Sequence, residues 1–446
     1  MPVGRHPSSV VPDTFLHRGS ALARLARPIA QFLRIEASGG ILLVAATLAA
    51  LVWANSPWSA AYDQLWSTPV NVVVGSFRFE EDLLHVVNDG LMALFFFVVG
   101  LEIKRELVVG ELRDRRNLAL PAMAALGGMA VPAAIYTVVN LGGPGSRGWG
   151  IPMATDIAFA LGVVALLGSR VPSPLKVFLL TLAIVDDLGA ILVIAVFYSS
   201  GIELTPLLIA GGIVVAVVVL RSLRVASAPL YVIAGLALWL TVHESGVHAT
   251  IAGVVMGLLT PARPQQSELE ASAVVDALED RRELSVEEVR TTASAIRRSV
   301  SPCERFVETL HPWTSYLIVP VFALANAGIT LSGDSVSGAP RVMVGVVLGL
   351  VVGKVVGITG FAWVTTRLGL GALPDGVTWR QMFGVAALAG IGFTVSLFVT
   401  ALAFEDDDVL GEAARIGILV ASAVAAVAGA LVFVVGRPRP SPPSRE

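Results

Sequence analysis

Long apolar runs broken by short polar stretches set the pattern of this chain. They lie at 38–55, 83–103, 117–140, 150–168, 176–199, 205–220, 227–243, 247–261, 313–330, 342–366, 380–403 and 414–436. Most approach the ~20 residues that a helix needs to cross a hydrocarbon core about 30 Å thick. The pattern predicts an all-α polytopic membrane protein with twelve transmembrane helices. Residues 1–35 then form an N-terminal tail and 36–436 the transmembrane domain, with a charged loop over 262–310 and a C-terminal tail over 437–446. In the first tail, Leu22, Leu25, Ile29 and Leu33 stand at helical spacing among arginines, which suits an interfacial helix or a solvated tail. One polar stretch has its own pattern: 69–80 holds two β-prone runs around Gly75-Ser76, predicting a small β-hairpin.

Composition agrees with this reading. Of 446 residues, 55% are hydrophobic and 15% charged, which excludes an ordinary soluble domain. The net charge of -3 gives no reason to propose a nucleic-acid partner. The single cysteine, Cys303, rules out an internal disulfide and a cysteine metal cluster. The first 35 residues contain no apolar core of the kind a cleavable signal has.

Charge placement sets the topology. When the polar stretches are assigned alternately to two sides from the N-terminus, 26 of the 31 Lys and Arg residues fall on the N-terminal side. Only Arg78, Arg147, Arg341 and Arg415 fall on the other, and Lys354 lies inside an apolar run. By the positive-inside rule both termini are cytoplasmic and the hairpin faces outward. A missed or invented crossing would swap every later loop, so the asymmetry supports an even number of helices.

Candidate chemistry sits in the apolar runs. Asp89, Asp156, Asp186, Asp187 and Lys354 lie within or at the edges of these segments, where each ionised group costs about 2.5–3.5 kcal/mol. Unpaired, all five would burden the fold by on the order of 15 kcal/mol, so an ion or proton path is the first hypothesis and structural pairing the second. Adjacent residues on a helix point about 100° apart. Asp186 and Asp187 therefore cannot both face one ligand squarely: one can present its carboxylate to a cavity while the other pairs with a cation such as Lys354. A desolvated carboxylate can hold either a proton or a metal cation, and competition for one such seat is exchange.

Two segments look interrupted. Thr155-Asp156 follows Gly150 and Pro152 early in the fourth run, and Gly390-Ile391-Gly392-Phe393-Thr394 interrupts the eleventh. They are the middle members of two three-helix groups, third to fifth and tenth to twelfth, whose offset of seven helices gives them opposite orientations. This is an inverted-repeat pattern with two crossed interrupted helices. Broken helices expose backbone groups and dipole ends that Asp156 and Lys354 can compensate. Gly345, Gly349, Gly353 and Gly357, at four-residue spacing, read as a close-packing row.

Soluble-enzyme motifs fail on context. Gly143-Pro144-Gly145-Ser146-Arg147-Gly148 has dinucleotide-binding spacing but follows a membrane helix, not a strand. His243, Glu244 and His248 approach a zinc-protease pattern, yet histidines five apart do not share a helix face.

These residues carry a resemblance. Asn88 to Phe96, Gly100 to Leu107, Ala154 to Pro172, Val185-Asp186-Asp187-Leu188-Gly189, Ser245 to Thr250, His311-Pro312-Trp313 and Gly390 to Thr394 resemble the bacterial NhaA sodium/proton antiporters, in one order over residues 36–436. That family is itself a standard example of the inverted-repeat architecture. The resemblance implies an electrogenic exchanger in the bacterial cytoplasmic membrane that expels Na+ or Li+ and admits H+, active in alkali. It implies no enzyme activity and no cofactor.

The resemblance also implies residue roles. Asp187 is the principal cation ligand, Asp186 its partner in binding and in pairing with Lys354, and Thr155 and Asp156 line the site. Glu102 and Glu106 draw in cations and take part in pH sensing, beside the alternative of interfacial charges near Lys104 and Arg105; Asp89 joins the same group. His248 is linked to the pH response, beside the alternative of a satisfied buried histidine. Hairpin 69–80 joins two protomers into a homodimer. The 262–310 loop is longer than the family pattern, and the resemblance assigns no role to the acidic cluster Glu405 to Asp408. A cation channel, or a proton-conducting subunit of a membrane enzyme, is the competing reading, since it too would use intramembrane carboxylates.

Overall fold

The computed structural model describes residues 38–74, 77–110, 115–199, 201–223, 225, 228–264, 285, 290, 293, 299–330 and 338–435. The suggested interfacial helix at 20–34, the C-terminal tail and most of the 262–310 loop lie outside the described residues. The structure is mostly helical. α1 (Ser38–Ala54) and α2 (Ser59–Trp66) are bent by 116° from each other and are followed by strands β1 (Pro69–Val74) and β2 (Phe77–Asp82), which pair antiparallel from Pro69↔Asp82 to Val74↔Phe77. The Asp82 carboxylate then accepts the backbone N–H of His85 at 2.8 Å, capping α3 (Leu83–Val108).

α3 is π-helical over Val86–Leu91, the turn that carries Asn88 and Asp89. There follow α4 (Arg115–Val139), a 3-10 segment (Pro144–Met153), α5 (Ile157–Leu167), α6 (Ser173–Tyr198), α7 (Leu204–Ser222), α8 (Ala228–Glu244) and α9 (Thr250–Leu259). α10 runs over 302–326, with its N-terminus capped by the Ser301 hydroxyl. Helix therefore begins eleven residues before the apolar run at 313, because Ser301-Pro302 supplies a cap and a first-turn proline. α11 (Pro340–Arg367), α12 (Trp379–Leu388), α13 (Phe393–Ala403) and α14 (Asp408–Val435) complete the fold. α12 opens on a reciprocal capping box between Thr378 and Gln381.

Among the described residues, six helices are long and apolar enough to cross a membrane, or nine counting each of the three bent pairs as one span. Two of those pairs, the 3-10 segment with α5 and α12 with α13, bend by 44° and 46° at breaks of a few residues. α8 and α9 are shorter apolar helices. The protein is multi-pass.

Close packing fixes the centre. A Cβ built on Gly353 would stand 2.8 Å from Pro132 Cα of α4, one on Gly357 would stand 2.6 Å from the Gly127 carbonyl carbon, and one on Gly349 would stand 2.7 Å from Pro152 Cβ. Real side chains essentially never approach so closely, so the glycine row lets α11 lie directly against α4 and the 3-10 segment. Lys354 follows this contact at once, after a π-helical turn over Gly349–Gly353. Its fully buried side chain is thereby carried to the breaks.

Candidate ion-binding site

The two breaks meet, and each satisfies the other's backbone. The Asp156 N–H donates to the Ile391 carbonyl at 2.7 Å, and the Thr155 hydroxyl donates to the Ala389 carbonyl at 2.9 Å. The Asp156 carboxylate caps two helices at once: Oδ1 accepts from Phe159 N–H at 2.9 Å, while Oδ2 accepts from Thr394 N–H at 2.9 Å and Thr394 Oγ1 at 2.6 Å. A carboxylate favours the positive ends of the two half-helix dipoles, α5 and α13, that converge on it. The opposite ends receive donors. Ser396 Oγ donates to the Ile151 carbonyl at 2.7 Å, and Lys354 Nζ donates to the Met153 carbonyl. Buried backbone groups that a broken helix would strand are thus paired by side chains from the other break or from α11.

Lys354 Nζ has three protons and three acceptors: the Met153 carbonyl, Thr155 Oγ1 at 3.0 Å and Asp186 Oδ2 at 2.7 Å. Asp186 and Lys354 are both fully buried. Asp187, one residue on along α6, is 3% exposed. Among the described residues, neither Asp186 Oδ1 nor Asp187 Oδ1 receives a hydrogen bond. A buried acceptor left unmade costs about 1–3 kcal/mol, more if charged. Two such oxygens on adjacent residues suit a hard cation or a proton, which would relieve them. No group of three or more His, Cys, Asp and Glu side chains among the described residues is arranged to hold a resident metal ion.

The remaining candidates lie away from this centre. Glu102 lies on α3, ten residues past Met92, the boundary of its π-helical turn. One turn further on, Glu106 Oε1 lies 3.4 Å from Arg105. His248 Nε2 donates to the Tyr198 carbonyl at 2.8 Å, which fixes that nitrogen as the protonated one. Tyr198 closes α6 eleven residues past Asp187, roughly 16 Å along a helix. Asp89 Oδ2 lies 3.6 Å from His243 Nδ1, and the Asp89 carbonyl accepts from Trp239 Nε1 at 3.1 Å. The structure therefore joins Thr155, Asp156, Asp186, Asp187 and Lys354, and places Asp89, Glu106 and His248 elsewhere.

Met153 and Ser396 are participants that sequence reading did not name, and Thr394 is one that it named only as the end of the second break. The role of Thr394 was within reach of that reading: once two interrupted helices are expected to cross, the hydroxyl residue just after Gly392 is a natural partner for the aspartate of the other break. Met153 acts through its carbonyl, on which a side-chain pattern is silent. Of the acidic cluster, Asp407 Oδ1 caps the backbone N–H of Leu410 at 3.1 Å and so starts α14.

Comparisons with known proteins agree with the geometry. A sequence model of the family described as Na+/H+ antiporter 1 matches residues 30–433. The chain is 49% identical to Na(+)/H(+) antiporter NhaA 3 of Frankia alni over 419 residues, covering 93% of this chain and 90% of that protein. It is 47% identical to Na(+)/H(+) antiporter NhaA of Rhodopirellula baltica, covering 94% and 96%, and 46% identical to that of Proteus mirabilis, covering 91% and 96%. A match along nearly the whole chain, with carboxylates and a lysine gathered where two broken helices meet, places it in a family of transporters and not of enzymes: the chain belongs to the NhaA Na+/H+ antiporters.

Proposed function

We propose that this protein exchanges Na+ or Li+ for H+ across the bacterial cytoplasmic membrane, expelling the metal ion and admitting protons. The observation that carries the reading is the pair of unmet, buried carboxylate oxygens on Asp186 and Asp187. Asp187 is the principal cation ligand, Asp186 its partner, Thr155 and Asp156 line the site, and Lys354 compensates charge. With Asp156 engaged in capping two helices, Asp186, Asp187 and Lys354 carry one net negative charge when all are ionised. A single Na+ or a single proton neutralises it, so the two ions compete for one seat. A cation that draws on Asp186 competes with the Lys354 ammonium, and Asp186 released from the lysine is a second place for a proton. Exchange of more protons than metal ions would make transport electrogenic.

If each bent pair is one span, the nine candidates by length and composition would make twelve crossings together with α8, α9 and α10. The meeting of the two breaks supports crossed interrupted helices within an inverted repeat. Both termini are then cytoplasmic and hairpin 69–80 is outside, where it would join two protomers. Glu102, Glu106, Asp89 and His248 would serve activation in alkali and the guiding of cations.

Proteoliposomes with an imposed pH gradient test the function. Uphill Na+ movement with proton counterflow supports exchange, and downhill flux alone would support the channel reading. Asp187→Asn is expected to abolish uphill transport in a protein that still elutes as folded; exchange at the normal rate would remove Asp187 from its role.

A further inference from the structure

The near-zinc triplet of the sequence separates in space: His248 turns to Tyr198, whereas His243, in the last turn of α8, stands between two carboxylates. Its Nδ1 is 3.6 Å from Asp89 Oδ2 on the π-helical turn of α3, and its Nε2 is 3.7 Å from Glu81 Oε1 on β2. The ring stacks on Trp239, with centroids 5.9 Å apart and planes 13° from parallel. Trp239 in turn donates to the Asp89 carbonyl.

A neutral imidazole has one N–H and one lone pair. Between two carboxylates it directs a proton at one and a lone pair at the other; only the doubly protonated ring donates toward both. Glu244 on the same helix adds a further negative charge. Nearby, the Asp82 carboxylate and His85 form a close pair at 2.7 Å at the start of α3. Of the helices packed on α8, α9 carries no titratable side chain, and α7 carries Arg221 at its far end, where it bonds Leu259. Glu203, just before α7, meets this end of α8 through its N–H to the Ser245 carbonyl at 3.0 Å. Thus, among the described residues, the charges on this side are predominantly acidic. The side chains of His243, Glu81 and Asp89 are 29%, 30% and 23% exposed, open enough for solvent protons to reach them.

We propose that His243, Asp89 and Glu81 form a proton-holding site whose occupancy fastens β2 and the π-helical turn of α3 to α8. This site goes beyond exchange at the Asp186–Asp187 pair and stands whether or not that pair transports ions. Protonation joins three elements through one ring; loss of the proton leaves a lone pair facing a carboxylate and loosens the junction.

The stacked indole is a built-in reporter, because an imidazolium quenches tryptophan emission more than a neutral imidazole does. Emission of the purified full chain is titrated with acid in detergent, without Na+, against the background of the other tryptophans. The wild type is expected to show a quenching step on acidification that is missing in His243→Gln and in Trp239→Phe. Asp89→Asn and Glu81→Gln each remove a charge that holds the proton, so the step is expected to move by about half a pH unit or more to lower pH. His243→Arg keeps a fixed positive charge at the junction, and should fold and show no step. Absence of the wild-type step, its survival in His243→Gln, or a step at the same pH in both carboxylate variants would overturn the proposal.

Discussion

Lys354 is the residue on which the centre depends most, because all three of its protons are used in a fully buried setting. Removing one partner of a buried ion pair leaves an uncompensated charge, at a cost of about 3–5 kcal/mol. Lys354→Met is therefore expected to lower the midpoint of thermal unfolding in detergent. The double variant with Asp186→Asn should recover roughly half of the loss or more, since it also removes the stranded carboxylate. Additive losses in that cycle would show that the two side chains act independently.

Cys303 offers a second check at the same scale. Its thiol donates to the Leu101 carbonyl, with sulfur 3.1 Å from the oxygen, and the side chain is fully buried. The thiolate is the reactive form. Burial disfavours the thiolate and shields the sulfur from reagent, so alkylation by a maleimide at pH 8 should be slow in the native protein and fast in denaturant. Rapid labelling of native protein at pH 8 would contradict the buried placement.

The contact between α4 and α11 is what turns sequence into a site at the scale of elements. The glycine row brings the backbones together, and the π-helical turn before Lys354 rotates the lysine toward the breaks; π turns of this kind are often found at functional positions. Gly353→Val would drive a branched side chain into Pro132 and separate the helices. The expected outcome is slower Na+-driven proton flux and lower thermal stability, although residue 353 itself contributes no ion ligand. Normal flux in that variant would mean that the close approach is dispensable.

Much of this arrangement was legible in the sequence, for identifiable reasons. Charges in apolar runs are costly enough to stand out, so Asp156, Asp186, Asp187 and Lys354 could be named from position alone. The geometry of adjacent helical residues anticipated that only one of the Asp pair would take the lysine. The breaks at Thr155-Asp156 and Gly390 to Thr394 were visible as glycine, proline and polar residues within apolar segments. Less legible were contacts made by carbonyls, such as Met153, and contacts between distant segments, such as His243 with Glu81. The start of α10 at Pro302 was hidden because its first turns are polar and resemble the charged loop before them.

For the whole molecule, the proposed homodimer makes a simple demand on hairpin 69–80. A cysteine pair engineered near the strand ends, in a background where Cys303 is replaced, should cross-link two chains in native membranes. Deleting the hairpin from the otherwise unaltered chain should leave an exchange-competent protein that sediments as a monomer in detergent; only monomeric cross-linking products from the intact hairpin would contradict the dimer.

The architecture of meeting breaks, one capping carboxylate and two unmet acidic oxygens has a single functional meaning if protons and metal ions use the same seat. Sodium binding to the purified protein, measured by calorimetry across a pH series in buffers of different ionisation enthalpy, tests this most directly. Competition predicts that each bound Na+ displaces at least one proton, and that affinity rises about tenfold per pH unit for each proton displaced, until the carboxylates are ionised. Equal affinity at pH 6 and pH 9, with no protons released to the buffer, would contradict it.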